Sequence, residues 1–393
     1  TKTGRVNLYR LFCVQATELL SAGGLVSYII PLTLLSDSFS YGTRDLMFKA
    51  VAFERIEAFP QKDDPARRVF TDAKQSTAVF VAKNAHAPNS TTRVRVHPGR
   101  DIAERSPCYV ARQDALYALT PSQHAVPLVG FDAWNILEKR LDPRLGKLAS
   151  ELITIYAGEI CDNAANSHFL SDEPVGPQVL RGANIGRYEL VPEAKQGEPR
   201  YLRLKKWRQA RGDSERGTHY KAPRIGFQKG AAVDNWRRLI ATMVPEREHC
   251  FDTIGYIPEE STQRLHLWLA LLNSALWEFR FRATSTTNHV NAYELGDIVV
   301  PPPVLDSDDS RFLEDAAADM LALHAHKQEL VGRFLAQLNG LLRDGLGPAE
   351  RRCIGDLAGR TRIRNPLGDY QRGEAPLSWD ALVGILCENR VMT

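Results

Sequence analysis

The chain has 393 residues, a formal net charge of +3, 44% hydrophobic residues and 25% charged residues, which is the composition of an ordinary globular protein of two or three domains. No apolar run approaches the roughly 20 residues that a membrane helix needs, and the start TKTGRVNLYR lacks a signal-peptide layout, so we expect a cytoplasmic protein. Six scattered cysteines without a CxxC pair indicate neither a zinc site nor a disulfide framework.

Helical and strand patterns alternate over the first 83 residues. Two glycines, Gly23 and Gly24, end the first helix. Its apolar residues recur at helical spacing and predict one buried face: Leu8, Leu11, Phe12, Ala16, Leu19 and Leu20. The patterns further predict a helix over about 40–49 and strands over 25–30, 55–59 and 78–82, the first of them central in its sheet.

This element order fits the later half of an α/β sheet better than an earlier half. An isolated half-sheet would expose one strand edge and one helix face. We therefore expect that the natural protein extends N-terminally or that another chain supplies the rest.

Phe70 stands in a polar loop that leads into the apolar strand 78–82. In one interpretation its ring fills the core beside Phe80. In the other, the ring lies at the lip of the strand and contacts a ligand. The local residues leave both interpretations open.

Scattered prolines weaken the pattern after residue 84 and predict a connector over 96–130 with one or two strands. The predicted domains are 1–95, a second folded domain over 131–305, a long amphipathic helix over 306–345 and a tail over 346–393. Within the last three, the patterns predict a strand leading into a polar loop over 179–188, and strands over 224–228, 241–244 and 253–257. They also predict one helix over 262–282 and a tail helix over about 378–387.

Positive charge is concentrated between residues 200 and 238, a segment that contains twelve Lys or Arg and only three acidic residues. Aromatic residues are interleaved with the cations: Tyr201, Trp207, Tyr220, Phe227 and Trp236. Segregated charge of this kind is typical of a surface that binds a polyanion. A solvated basic face without a ligand is the alternative.

Catalytic motifs are absent from the sequence: it contains no GxSxG, HExxH or Walker loop and no metal-nuclease pattern. His324 and His326 are two apart on a predicted helix, so we interpret them as surface residues. His249 and Cys250 form an isolated pair that is more typical of structure than of metal binding. We therefore expect no metal site and no self-sufficient active site.

Several stretches resemble the gamma-class DNA adenine-N6 methyltransferases of restriction-modification systems, in particular the type IIG enzymes. Residues 4–31 resemble the family's helix and following strand, residues 69–83 resemble its eighth motif, and residues 151–303 are similar to the TaqI-like specificity domain. The matching segments of that domain are 155–158, 180–185, 220 with 223–225, 271–274 and 298–301.

The resemblance implies an α/β fold in which the C-terminal half of a Rossmann-like methyltransferase sheet is followed by an α+β target-recognition domain and a C-terminal helical segment. It implies that Phe70 stacks on the adenine after that base has left the duplex, and that the second domain binds double-stranded DNA. The expected DNA-binding residues are Lys74, Arg181, Asn184, Arg203, Lys205, Lys206, Arg208, Lys221, Arg224, Lys229, Asn288 and His289.

The sequence departs from the family in lacking the glycine-rich motif for S-adenosyl-L-methionine and the catalytic Asn-Pro-Pro-Tyr or Phe. The cofactor is therefore expected to bind mainly to a missing N-terminal part, and this chain alone is expected to be inactive. One alternative is a non-catalytic specificity subunit that docks on a separate methyltransferase chain through helix 310–345. Another is an RNA-modifying enzyme that binds single strands.

Overall fold

The computed structural model describes residues 7–85, 89–140, 142–161, 163, 166–191, 198–212, 214–233, 235–305, 307–345, 363, 366–368 and 375–388. The described residues form a mixed α/β fold, as the sequence predicts. Within those ranges, no helix combines the length and the apolar character that crossing a membrane requires.

A five-stranded sheet organises the first part of the chain, in the order β1-β3-β2-β4-β5. Its strands are β1 (Leu25–Pro31), β2 (Ala52–Phe59), β3 (Thr77–Lys83), β4 (Thr91–Val96) and β5 (Cys108–Arg112). Strands β1, β2 and β4 run in one direction, and β3 and β5 run against them. The three strands predicted before residue 84 are confirmed.

Four helices accompany this sheet: α1 (Leu8–Leu19), α2 (Tyr41–Ala50), α3 (Gln113–Leu119) and α4 (Phe131–Arg140). The core includes Phe80, whose ring packs edge-on against Phe53 at 5.6 Å, and Tyr109 of β5, which stacks on Trp134 of α4 at 4.7 Å. Strand β5 and helix α4 share this core with the strands that precede residue 95. We call residues 7–140 the sheet domain.

The predicted buried face of α1 faces outward. Leu8, Leu11, Phe12 and Leu19 are between 55% and 77% exposed, and Cys13 is the buried residue of the helix. Strand β1 lies at the sheet edge rather than in the centre, since no strand of the described ranges pairs with its outer side. We call this exposed part of α1 and β1 the α1/β1 surface.

A second domain follows over residues 142–305. Its strands are β6 (Lys147–Leu148), β7 (Tyr156–Ala157), β8 (Leu170–Ser171), β9 (Val179–Leu180), β10 (Ile185–Gly186), β11 (Glu189–Leu190), β12 (Tyr201–Leu202), β13 (Arg224–Gln228), β14 (Ala241–Val244), β15 (His249–Cys250), β16 (Ile254–Pro258) and β17 (Val299–Val300). Its helices are α5 (Ala149–Leu152), α6 (Leu204–Arg211), α7 (Glu215–Thr218), α8 (Thr262–Leu272), α9 (Ala275–Thr284) and α10 (Ala292–Gly296).

An antiparallel sheet in the order β14-β13-β16-β7 packs against α8 in the centre of this domain. The predicted single helix over 262–282 is two helices. Ser274 interrupts it because its hydroxyl accepts a hydrogen bond from the Trp277 backbone N–H at 3.1 Å and so caps α9. The other strands predicted in this domain are confirmed.

Residues 119–124 are bound by both domains. Arg44 of α2 donates two hydrogen bonds to the Gln123 carbonyl, at 2.8 and 2.6 Å. From the other side, Asp297 accepts a hydrogen bond of 2.7 Å from the Ser122 hydroxyl, and Arg280 donates one of 2.8 Å to the Leu119 carbonyl. Burial lowers the pKa of Arg44 and of Arg280 to about 10, so both stay charged at neutral pH.

Helix α11 (Asp308–Gly345) confirms the long helix predicted from its apolar period. It packs along α8, and helix α12 (Trp379–Glu388) packs near its C-terminal end. The prediction that His324 lies on the surface is wrong: its ring is buried, with Nδ1 3.3 Å from a Glu189 carboxylate oxygen. Most of the predicted tail 346–393 lies outside the described residues.

Candidate nucleic-acid interface

One edge of the five-stranded sheet gathers the loops that follow the parallel strands. The loop after β1, the Phe70 loop (residues 60–76) after β2 and the β4–β5 loop (residues 97–107) all begin there. The backbone N–H of Leu32 bonds to the Ser76 carbonyl at 2.9 Å, which joins the first two loops. Ligands of open α/β sheets commonly bind at such an edge.

Phe70 is 46% exposed, whereas Phe80 is buried in the sheet core, so the interpretation of Phe70 as a core residue is wrong. Arg68 fixes the loop around it by donating to the Thr71 carbonyl from Nε at 2.9 Å. Lys74 forms an exposed ion pair of 2.9 Å with Asp63. An exposed pair is weak, so Lys74 can exchange its partner for a phosphate.

The second domain reaches the same edge through its polar segment 284–289. The hydroxyls of Ser36, in the loop after β1, and Thr286 are hydrogen-bonded to each other. Two predicted DNA-binding residues of this segment, Asn288 and His289, are exposed. This contact joins segment 284–289 of the second domain to the loop that follows β1.

The buried side chain of Arg238 positions segment 284–289 through hydrogen bonds to its backbone. Its guanidinium is buried and donates to the carbonyls of Thr287, at 2.5 Å, and of Ala231, at 3.2 Å. The Glu278 carboxylate accepts from the backbone N–H groups of Arg238, at 3.0 Å, and of Leu239, at 2.7 Å. A buried network of this kind gives the exposed loop a defined shape.

Helix α6 carries the exposed part of the basic segment. Trp207 anchors the helix in the core, while Lys205, Lys206 and Arg208 face outward. Arg208 lies over the ring of Tyr220, with its guanidinium carbon 5.4 Å from the ring centre. Two other predicted contact residues, Arg203 and Lys221, are also exposed. A row of exposed cations on one helix suits a phosphate backbone.

Two of the predicted DNA-binding residues, Arg224 and Asn184, have buried side chains. Arg224 is 0% exposed and pairs with Glu159 at 3.0 Å. Burial raises the pKa of Glu159 above its ordinary value although Arg224 opposes the shift. Asn184 is buried as well, and its side-chain amide bonds to the backbone of Arg181 and Val191 at 2.8 and 2.9 Å. Both side chains are engaged within the domain, which makes them poor candidates for contact with a nucleic acid.

Arg181 and Lys229 are half-buried and engaged within the domain. The Arg181 guanidinium carbon lies 5.1 Å from the centre of the Phe251 ring, and Lys229 Nζ donates to the Asp252 carbonyl at 2.8 Å. A DNA contact from either residue requires the side chain to move. They are weaker candidates than the cations of α6.

The aromatic residues of the basic segment divide into two groups. Trp207, Tyr220 and Phe227 belong to the core, whereas Trp236 is 67% exposed. Ala231, in the same loop between β13 and β14, donates from its backbone N–H to the Asn288 carbonyl at 2.9 Å. Trp236 therefore lies in the loop next to segment 284–289, a position that sequence spacing alone does not reveal.

No family model matches the sequence, and no curated protein matches it. Solved structures do. The chain is similar to the structure described as the type IIG restriction endonuclease BpuSI, with 12% identity, a TM-score of 0.34 and coverage of 81% of this chain and 45% of that one. It is also similar to the Type IIL restriction-modification enzyme MmeI in complex with DNA, with 11% identity, a TM-score of 0.49 and coverage of 82% and 45%.

A third similar structure is the methyltransferase subunit of a type I restriction-modification system from Streptococcus thermophilus, with 12% identity, a TM-score of 0.20 and coverage of 26% of each chain. The chain thus spans about 45% of the length of the first two proteins. None of these similarities assigns a function to the chain.

The sheet edge does not fit S-adenosyl-L-methionine by itself. The three loops that follow β1, β2 and β4 contain one glycine, Gly99, and within the described ranges the glycines with positive φ, Gly23 and Gly368, lie elsewhere. A cofactor of this kind needs a backbone cradle that this edge does not offer. No group of three or more potential metal ligands occurs among the described residues.

Proposed function

We propose that this chain supplies the flipped-base pocket wall and the sequence-recognition surface of a site-specific DNA adenine-N6 methyltransferase of a restriction-modification system. The observation that carries the proposal is the exposed ring of Phe70 on a fixed loop, at the sheet edge that also receives the polar segment 284–289. The motif resemblance of residues 4–31, 69–83 and 151–303 supports it.

Base flipping explains what Phe70 does in this proposal. An adenine N6 inside a duplex is out of reach of a donor held in a protein pocket, and extruding the base costs a few kcal/mol. Stacking on an aromatic ring stabilises the extruded base by about 1 to 3 kcal/mol. Phe70 is suited to this because its loop is already ordered by Arg68, so little entropy is lost when the base arrives.

Sequence recognition falls to the second domain. Cations of α6, with Arg203 and Lys221, would hold phosphates, while Asn288, His289 and the neighbouring Trp236 would meet the bases. Arg181 and Lys229 stay in the proposal as contacts that form after a side-chain movement. The buried Arg224 and Asn184 are left out.

The α1/β1 surface is proposed to bind the catalytic half that holds the S-adenosyl-L-methionine and the Asn-Pro-Pro-Tyr motif. An edge strand with exposed Leu25 and Ile29 can pair with another strand, and the exposed apolar side chains of α1 exceed what a free surface usually carries. The apolar face of α11 already packs on α8, so α1 and β1 are the better docking site. The α1/β1 surface would bind the catalytic half in the same way whether that half is covalently joined or is a separate chain.

Methylome sequencing of a host that expresses the full-length gene tests the function. We expect N6-methyladenine in one defined sequence and a loss of about tenfold or more in methylation rate for Phe70→Ala, with duplex binding retained. Phe312→Ala, an equally simple truncation of an exposed ring on α11, is the matched control. Absence of a methylated motif, or an unchanged rate for Phe70→Ala, would reject the proposal. Binding to single-stranded RNA without duplex preference would favour the RNA alternative.

A further inference from the structure

We propose that Ile102, at the tip of the β4–β5 loop, inserts into the DNA base stack next to the nucleotide that Phe70 receives. The inference rests on the proposed function and adds a second base-flipping residue to it. Ile102 is 71% exposed although it is a large aliphatic residue, and its loop starts at the same sheet edge as the Phe70 loop.

A buried histidine fixes the base of the β4–β5 loop. His97 is fully buried, and its Nε2 lies 2.7 Å from a Glu57 carboxylate oxygen. Its Nδ1 accepts from the Ala103 backbone N–H at 3.3 Å and lies 3.1 Å from the Ser106 hydroxyl. Since Nδ1 is the acceptor, Nε2 carries the proton and donates to Glu57. The loop is therefore closed around one ring.

The same histidine connects this loop to the Phe70 loop. Its ring stacks on Phe59, the last residue of β2, with ring centres 4.7 Å apart. Arg67, three residues before Phe70, donates from Nη2 to the Pro98 carbonyl at 2.6 Å. A rigid connection of this kind fixes the distance between Phe70 and the exposed Ile102.

The chemistry of the loop tip favours contact with bases over contact with phosphates. Arg100 and Arg105 are balanced by Asp101 and Glu104, all exposed, so the tip has no net charge to attract a polyanion. Its distinguishing group is the aliphatic side chain of Ile102. Apolar wedges such as isoleucine are inserted between base steps by proteins that deform DNA, and a gap left by an extruded base is such a step.

Fluorescence of 2-aminopurine at the target position tests the inference, with the complete enzyme and a duplex that carries the methylated sequence. Ile102→Ala should reduce the fluorescence increase on the paired duplex by about fivefold. On a duplex with an abasic site opposite the target, the base is already unpaired, so variant and wild type should agree within about twofold. Ile102→Leu should restore the signal, and Leu323→Ala, at an exposed position of α11, should match wild type.

Equal signals for wild type and Ile102→Ala on the paired duplex would overturn the inference. An equal loss on the paired and abasic duplexes would overturn it as well, because a wedge matters only while the base pair must be opened. If Phe70→Ala still lowers methylation in that case, the proposed function stands without Ile102. If the enzyme methylates no defined sequence, both proposals fall.

Discussion

The two domains use their apolar residues in opposite ways. In the second domain the large apolar side chains close a core around Trp268 of α8, and three arginines are buried as well: Arg224, Arg238 and Arg280. In the sheet domain a comparable set of side chains on α1 and β1 points outward. In our proposal, the second domain carries its own stability, whereas the α1/β1 surface of the sheet domain binds the catalytic half.

The largest expected effect is on the second domain. Arg224→Met should lower the free energy of unfolding by about 3 to 5 kcal/mol, because the buried Glu159 loses its partner. Burial already raises the pKa of Glu159 in the folded wild-type chain, and removing the Arg224 charge raises it further. The loss relative to wild type should therefore grow as pH rises above the raised folded-state pKa of wild-type Glu159, where the wild-type carboxyl ionises and the variant carboxyl still holds its proton. Urea unfolding of the variant at several pH values measures this.

The double variant Arg224→Met with Glu159→Leu is the control for that experiment. Removing both charges leaves no unpaired group, so most of the lost stability should return. If the double variant is as unstable as the single one, packing rather than charge explains the loss.

Acid should weaken the second domain through His249. Burial, aided by the positive charge of Arg224, lowers the pKa of His249 to about 4, whereas an unfolded histidine titrates near 6.5. Between pH 6.5 and pH 4 the unfolded state binds a proton that the folded state excludes. The free energy of unfolding should therefore fall by about 1.4 kcal/mol for each pH unit over this range. His249→Gln should flatten this slope in urea titrations.

His326→Gln serves as the matched variant, because His326 is exposed on α11. It should keep the slope of the wild-type chain between pH 6.5 and 4. Parallel curves for His249→Gln and wild type would contradict the assignment of the acid sensitivity to His249.

The α1/β1 surface offers the sharpest contrast with the second domain. Phe12→Glu should change the stability of this chain by no more than about 0.5 kcal/mol, because the ring is already exposed. It should nevertheless weaken binding to the catalytic half by about 2 kcal/mol or more, measurable by titration calorimetry with that half as a separate fragment.

Leu269→Glu introduces the same charge at a buried position of the second domain. Leu269 is buried in α8, and the same change of charge there should unfold the second domain. A Phe12→Glu chain that unfolds as readily would show that α1 is part of a closed core after all.

The smallest expected effect concerns the salt dependence of DNA binding. Lys205→Ala and Lys206→Ala should each lower the slope of log K against log salt by about 1, uniformly across sequences. Arg224, although it lies in the same basic segment, contacts no DNA in our proposal. A flat slope for the wild-type chain would remove α6 from the interface.

Local patterns predict the helices and strands of this protein better than they predict which residues are exposed. The strands around Phe80 and Phe227 follow from apolar runs, and the sequence also indicates Phe70 and the basic segment 200–238 as candidate contact regions. The pattern cannot distinguish Arg224, which is buried with Glu159, from Lys205, which is exposed. That difference depends on a partner 65 residues away, which no short window contains.

The same limit applies to the rest of the candidate site. Ile102 and Trp236 become candidates because of the loops in which they lie. Contacts of His97 and of Ala231 position those loops, and sequence spacing does not show these contacts. The pairing of β5 with β4 across a proline-rich stretch is likewise not visible in local patterns. Tertiary pairing decided these features, and local propensity did not.

If the proposed function holds, the contacts that residues 119–124 make with both domains determine where a recognition domain can be exchanged between such enzymes. Arg280 and Asp297 belong to the second domain but bind Leu119 and Ser122, so a graft cut at residue 131 would separate each pair. A chimera that carries 119–124 together with 142–305 keeps those contacts, and Arg44 then meets its Gln123 acceptor through a backbone carbonyl that any residue provides. The junction is therefore transferable as a unit, and the distance from the read sequence to the modified base would travel with it.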